Sequence, residues 1–203
     1  MMGTRFSYAY VSGRLFPPYL RLAVTPPAGL EDLPGYLAPE EGRCLHWLAH
    51  KVPPGCIAVE IGSFKGKSSA YIASGLNPGA RLACVDVWEN RAMPYDPPED
   101  VLPEFQRNVA PDRDIIDIHR GLSADIARTW LALIDLLFID GDHSYEGCLT
   151  DIDAWLPHVR PGGWVAFHDS GQEGVARAIR ERFPRAARSL GVQSGSIFAA
   201  RKR

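Results

Sequence analysis

The stretch Ile57-Ala58-Val59-Glu60-Ile61-Gly62-Ser63-Phe64-Lys65-Gly66-Lys67-Ser68 decides the fold. Its first five residues form a short run of mainly branched apolar side chains, the composition of a buried strand. Two glycines four positions apart follow, and a helix is predicted over roughly Lys67 to Leu76. A strand that turns through glycine straight into a helix is the opening unit of a doubly wound α/β sheet.

The same alternation continues on both sides of this unit. Upstream, Leu45, Leu48, Ala49 and Val52 repeat at helical spacing until Pro53-Pro54-Gly55 stops them. Downstream, strands are predicted at 81–87, 115–118, 136–139 and 164–167. Helices are predicted near 102–109, 145–158 and 173–183. Short strands around 186–190 and 196–200 would close the sheet. The expected architecture is a Rossmann-like, doubly wound, mostly parallel sheet of about seven strands with helices on both faces. Residues 1–39 read differently. They carry Pro17-Pro18, Pro26-Pro27, Pro34 and Pro39 among Phe6, Tyr8, Tyr10, Phe16, Tyr19 and Tyr36. Proline at this density opposes regular helix, and the aromatics oppose disorder, so an irregular arm is expected before a domain spanning 40–203.

Bulk properties narrow the partners. With 22 basic and 24 acidic residues the formal charge is −2, which offers neither nucleic acid nor an anionic membrane an electrostatic handle. No apolar run reaches the ~18 residues of a membrane span. The N-terminal stretch has no apolar core of the signal-peptide type, so a cytoplasmic location is expected. Cys44, Cys56, Cys84 and Cys148 are too dispersed for a CxxC centre and read as free thiols. The expected partner is a small molecule, with self-association into a homo-oligomer left open.

Counting residues tests the ligand of the glycine turn. A dinucleotide fingerprint needs GxGxxG, and position 64 is Phe. A nucleotide-binding P-loop needs four residues before Gly-Lys-Ser, and only Ser63, Phe64 and Lys65 intervene. A P-loop-like NTPase module built on Gly66-Lys67-Ser68 is therefore the weaker alternative. Glu60 would repel phosphates and favour a cationic ligand. Asp86, at the end of the next strand, stands about where an acid grips a ribose diol. Together these residues describe a site for an adenosyl group without a pyrophosphate.

The order Glu60-x-Gly62-x-x-x-Gly66, Asp86, LLFIDGDHSYEG and PGGWVAFHD resembles class I S-adenosylmethionine-dependent methyltransferases, nearest to the macrocin O-methyltransferase-like group. The resemblance runs from about Cys56 to the C-terminus. It implies S-adenosyl-L-methionine as methyl donor, held by Glu60, Gly62, Ser63, Gly66, Ser68 and Asp140, with Asp86 on the ribose and Trp88 and Ser123 near the adenine. It also implies that the histidine of Asp140-Gly141-Asp142-His143 is a general base, and that an acidic pair after the fifth strand binds a divalent metal. This chain departs from that pattern, with His168 in place of the first acid of the pair.

The topology alone places Asp140, His143, His168 and Asp169 on adjacent strand ends beside the turn. Carboxylates gathered at one point call for a cation or a proton between them. Asp140, His168 and Asp169 are the candidate ligands for Mg²⁺ or Mn²⁺, and the histidine tilts the choice toward Mn²⁺, Fe²⁺ or Zn²⁺. His143 is the candidate base, with Asp140 beside it. The expected activity is O-methylation of a hydroxyl on a sugar or other natural product, against the alternative of a catalytically silent binding protein. His46 and His50 are spaced for zinc but are expected on a solvated helix face. Arg177, Arg180, Arg182, Arg185 and Arg188 are expected on a solvated face as well.

Overall fold

The computed structural model describes residues 25–89, 99–184 and 191–203, together with the backbone of a two-residue strand, β1 (Arg14–Leu15). The remaining elements are α1 (Pro39–Ala49), β2 (Ile57–Ile61), α2 (Lys67–Gly75), β3 (Arg81–Asp86), α3 (Leu102–Asn108), β4 (Ile116–Arg120) and α4 (Ser123–Ala127). They continue with β5 (Ile134–Ile139), α5 (Tyr145–Trp155), β6 (Val159–Phe167), α6 (Glu173–Arg182), β7 (Val192–Ser194) and β8 (Ile197–Arg201).

One sheet runs β1-β7-β8-β6-β5-β2-β3-β4. The pairs from β6 through β4 are parallel, and β8 runs antiparallel to both β6 and β7. This is the expected doubly wound sheet, with seven strands and the short β1 added at one edge. Strand alternation explains the layering. On β5, Leu136 and Phe138 join the core under α1 and α2, whereas Leu137 and Ile139 join the core under α5 and α6. Both sides of the strand are therefore apolar, as two covered faces require. Fully buried side chains such as Leu48, Ile72, Leu82 and Leu136 each contribute about 1.5–3 kcal/mol.

Several boundaries differ from the sequence reading. β6 begins at Val159 because Val159 pairs with Ile134 ahead of a register shift, and Arg160–Gly163 continue the strand beyond the apolar run. The strand expected over 186–190 lies outside the described residues, and pairing there starts at Val192. Most of the proline- and aromatic-rich arm is likewise outside them. Its last part forms a 3-10 turn at Leu30–Asp32 before α1. His46 is not on a solvated face: it is buried, with Nδ1 2.9 Å from the Ser74 hydroxyl. Arg182 pairs with Asp153 and Arg177 stacks over Tyr145 on the outer side of α6, as expected of a solvated face, while Arg185 and Arg188 lie outside the described residues. All four cysteines are free. Among the described residues no helix is long and apolar enough to cross a membrane.

The chain leaves β2 toward β3 and β4 on one side, and returns to β5 and β6 on the other. The carboxyl ends of β2 and β5 therefore flank the crevice where such sheets bind ligands.

Candidate active site

A cleft of about 1090 Å³ opens at this switch point. Its walls come from the turn after β2, the ends of β3, β5 and β6, the start of α4, and Pro34–Leu37 ahead of α1. Backbone hydrogen bonds knit the strand ends together: Gly62 N–H to Val85 O at 2.9 Å, Asp140 N–H to Ile61 O at 2.8 Å, and His168 N–H to Ile139 O at 3.1 Å.

Gly62 takes a φ of 85°, and a Cβ there would stand 2.1 Å from the carbonyl oxygen of Asp140. Only glycine permits that turn to press against the strand end carrying the acids. Gly66, at φ 88°, begins α2. Among the described residues, three that are not glycine also adopt positive φ: Phe64 at 44°, Trp88 at 52° and Asp169 at 49°. All three follow strand ends at the cleft. Such conformations cost about 1–3 kcal/mol each and persist only where neighbours enforce them. Asp86 enforces two, because its Oδ2 accepts from Phe64 N and its Oδ1 from Trp88 N, both at 2.7 Å. The Ser196 hydroxyl accepts from Asp169 N at 3.2 Å.

The sequence-predicted cofactor residues separate into three groups. Gly62, Ser63, Gly66, Ser68, Asp86, Ser123 and Asp140 line the cleft. Ser63 is buried there, with its hydroxyl turned toward the Glu60 carboxyl behind the turn. Trp88 also borders the cleft, but its ring is fully buried against Phe105, 5.0 Å between centroids, so it supports the wall. Glu60 is not on the wall. It is fully buried behind the turn, where it accepts from the Ser69 hydroxyl. Burial, outweighing the Ser68 and Ser69 hydroxyls, raises its pKa to about 7. In this structure it backs the turn, whereas the sequence reading has it facing the ligand. Lys67, the would-be P-loop lysine, donates to the Glu31 carbonyl at 2.9 Å, so its ammonium is spent on the segment before α1. Ser123 accepts from Trp155 Nε1 at 2.8 Å, which fixes its hydroxyl at the cleft.

The acids and imidazoles do converge. His143 Nε2 is 3.3 Å from Asp140 Oδ1, and its Nδ1 is 3.6 Å from Asp169 Oδ2. His168 Nδ1 lies 3.2 Å from that same Asp140 Oδ1 and 3.5 Å from Asp169 Oδ2. Asp140 is free to face them because Ser144 caps α5, its hydroxyl accepting from Gly147 N at 3.0 Å, and Asp142 Oδ1 accepts from Ser144 N at 2.8 Å. Burial opposes charge on His168, but Asp140, Asp169 and Glu41 override it and push its pKa up to about 12. His143 is raised mainly by its hydrogen bond to Asp140. The His168 hydrogen bond holds Asp169 below its ordinary value.

A ligand bond to a small divalent ion of about 2.0–2.2 Å places neighbouring ligand atoms roughly 3 Å apart. His168 Nδ1 stands near that spacing from Asp140 and from Asp169, and Asp140, His143 and Asp169 offer donor atoms all within 4.8 Å of one another. The donor set fits a divalent ion.

Glu41 was not singled out from the sequence. It lies three residues after Ala38 at the start of α1, and its Oε2 accepts from Ala38 N at 2.8 Å as a local cap would. The same oxygen reaches His168 Nε2 at 3.2 Å, a partner 127 positions away that no local pattern announces. Tyr36, which stacks on Phe64 with centroids 6.0 Å apart, was read only as part of the arm.

A doubly wound sheet with a glycine turn, an acid at the end of the next strand and a mixed acid–imidazole centre at its switch point matches the frame of methyl-transferring enzymes. The chain belongs to the methyltransferase-domain family, whose model matches residues 59–170. Solved structures share the fold. An O-methyltransferase of tomaymycin synthesis, TomG from Streptomyces achromogenes, aligns with a TM-score of 0.65 at 21% identity, over 91% of this chain and 94% of that one. An O-methyltransferase from Bacillus cereus aligns at 0.61 and 19% identity, over 91% and 96%. Among curated relatives, the uncharacterized protein y4gI of Sinorhizobium fredii is 26% identical over 131 residues. The chain matches only 14–16% of the length of its first curated relatives.

Proposed function

We propose that the protein transfers a methyl group from S-adenosylmethionine to a hydroxyl of a small molecule, a sugar or other natural product, with help from a divalent ion. The observation that carries this reading is the contact of Gly62 with the Asp140 carbonyl, which sets the adenosyl-type turn against the acid–imidazole centre. The fold neighbour TomG is described in complex with S-adenosylmethionine, which supports the choice of donor.

The residues divide the work. Gly62, Ser63, Gly66 and Ser68 line the side of the cleft where the amino-acid part of the donor would lie, and Asp86 would receive the ribose. Its two oxygens already hold backbone amides, yet each keeps acceptor capacity toward the cleft. Ser123 would meet the adenine at the start of α4. Asp140, His168 and Asp169 would hold the ion, which lowers the pKa of a hydroxyl and fixes its direction. His143 is the more exposed imidazole, with 37% of its side chain accessible against 8% for His168, and it faces the cleft. It is the group placed to take the acceptor proton, work that contributes about 10²–10⁴-fold. Tyr36, Leu37 and Phe64 would give the acceptor an apolar stretch of the cleft wall.

The experiment is direct: incubate the protein with S-adenosylmethionine, Mn²⁺ or Mg²⁺ and a panel of sugar and phenolic alcohols, and follow S-adenosylhomocysteine. Turnover that depends on an acceptor hydroxyl and stops with chelator supports the reading. Turnover insensitive to chelator removes the ion from it, and failure to bind the donor removes the whole.

A further inference from the structure

We propose that Glu41 is a positioning residue of the catalytic centre, fixing the His168 ring so that Nδ1 is presented to Asp140 and Asp169. This inference rests on the metal-assisted reading above.

Glu41 sits in the first turn of α1, on a different layer from the strand ends, and is 95% covered, with a relative exposure of 5%. It is absent from the cleft wall. Three donors orient it. Oε2 accepts from Ala38 N at 2.8 Å and from His168 Nε2 at 3.2 Å, while Oε1 accepts from Ser196 N at 2.7 Å. A Cβ on Gly195 would lie 2.5 Å from Oε1, so the β7–β8 turn closes over the carboxylate. Those donors keep Glu41 ionised in spite of its burial.

The consequence falls on His168. With Nε2–H committed to Glu41, the ring cannot flip, and Nδ1 stays 3.2 Å from Asp140 Oδ1 and 3.5 Å from Asp169 Oδ2. An imidazole whose far nitrogen donates to a carboxylate is the usual arrangement of a metal-bound histidine, and an ion held at Nδ1 would displace the proton that this nitrogen now shares with Asp140. Ser196 joins the two ends of this frame. Its amide holds Glu41 and its hydroxyl holds the strained Asp169 amide. One carboxylate on α1 thereby fixes the histidine, and one serine ties that carboxylate to the neighbouring acid.

The test measures Mn²⁺ binding to the full chain by electron paramagnetic resonance, alongside S-adenosylhomocysteine binding by calorimetry. Glu41→Gln keeps the size but turns an amino group toward one of the three donors. It is expected to weaken Mn²⁺ about 10–100-fold and to leave S-adenosylhomocysteine affinity unchanged. In a His168→Ala background the same substitution is expected to cost Mn²⁺ affinity nothing more, because the group it acts through is gone. A merely structural role would weaken both backgrounds alike, and that outcome overturns the proposal. Glu41→Asp retains the charge without the reach and serves as the second variant should the glutamine not fold; unaltered Mn²⁺ affinity in it also counts as refutation. Wild-type protein that binds the adenosyl ligand but no Mn²⁺ defeats the metal reading and Glu41's role with it. Wild-type binding with full retention in Glu41→Gln defeats only the latter.

Discussion

Glu60→Gln isolates the energetic cost of the acid behind the cofactor turn. The carboxyl is fully buried, accepts from Ser69, has the Cys84 sulfur at 3.6 Å and leaves Oε1 without a partner. Burial raises its pKa from the ordinary 4.5 to about 7. In the unfolded chain it titrates at the ordinary value. Between those two values the folded protein holds a proton that the unfolded chain has released. Stability therefore falls as pH rises across this window and is level outside it. At about 1.4 kcal/mol per pKa unit, the wild type loses roughly 3 kcal/mol through this group. Glutamine has no proton to lose. Urea unfolding of both proteins from pH 4 to pH 8 measures the difference, in which the other titrating groups cancel. The variant should gain on the wild type by roughly 3 kcal/mol as pH rises to 7, then hold that margin. Parallel curves, or a margin that shrinks with pH, would refute the assignment. Because the side chain is off the cleft wall, donor affinity above pH 7 should be retained.

Three further outcomes follow from the geometry. His143→Ala should lower kcat about 10²–10⁴-fold with S-adenosylhomocysteine affinity unchanged, read by steady-state kinetics and calorimetry. Gly62→Ala meets both a φ of 85° and the Asp140 carbonyl 2.1 Å from the new Cβ. It should abolish donor binding in calorimetry and lower the melting temperature. Ser144→Ala removes the hydroxyl that caps α5. It should cost about 1 kcal/mol in chemical denaturation and reduce activity only as far as Asp142 and His143 shift.

The sheet was legible because its strands are covered on both sides. Runs such as Leu136–Ile139 and Trp164–Phe167 are apolar throughout, and periodic helices separate them. β6 was read short because Arg160–Gly163 lie beyond the apolar run, and the pairing that extends the strand there is tertiary. In the site, glycine spacing and the Asp–Gly–Asp–His segment located the cleft. The partners of each group were not legible. Asp86 looks like a lone acid in sequence, yet it holds two residues in the left-handed region, Phe64 and Trp88, that local preference assigns elsewhere. Glu60 reads as a ligand-facing acid because sequence shows its place beside the turn but not its depth. Glu41 reads as a helix-start residue because its distant partners are brought by the fold. Long-range contacts of this kind leave no periodic trace.

The central claim is that the crevice between β2 and β5 takes an adenosyl sulfonium and not a nucleotide phosphate. Parallel calorimetric titrations of the wild-type protein with S-adenosylmethionine and with Mg²⁺–ATP measure this most directly. The account predicts saturable binding of S-adenosylmethionine, greatly weakened in Asp86→Ala protein that still unfolds cooperatively, and none of the nucleotide. Binding of ATP without S-adenosylmethionine, or equal S-adenosylmethionine affinity in the Asp86 variant, would contradict it.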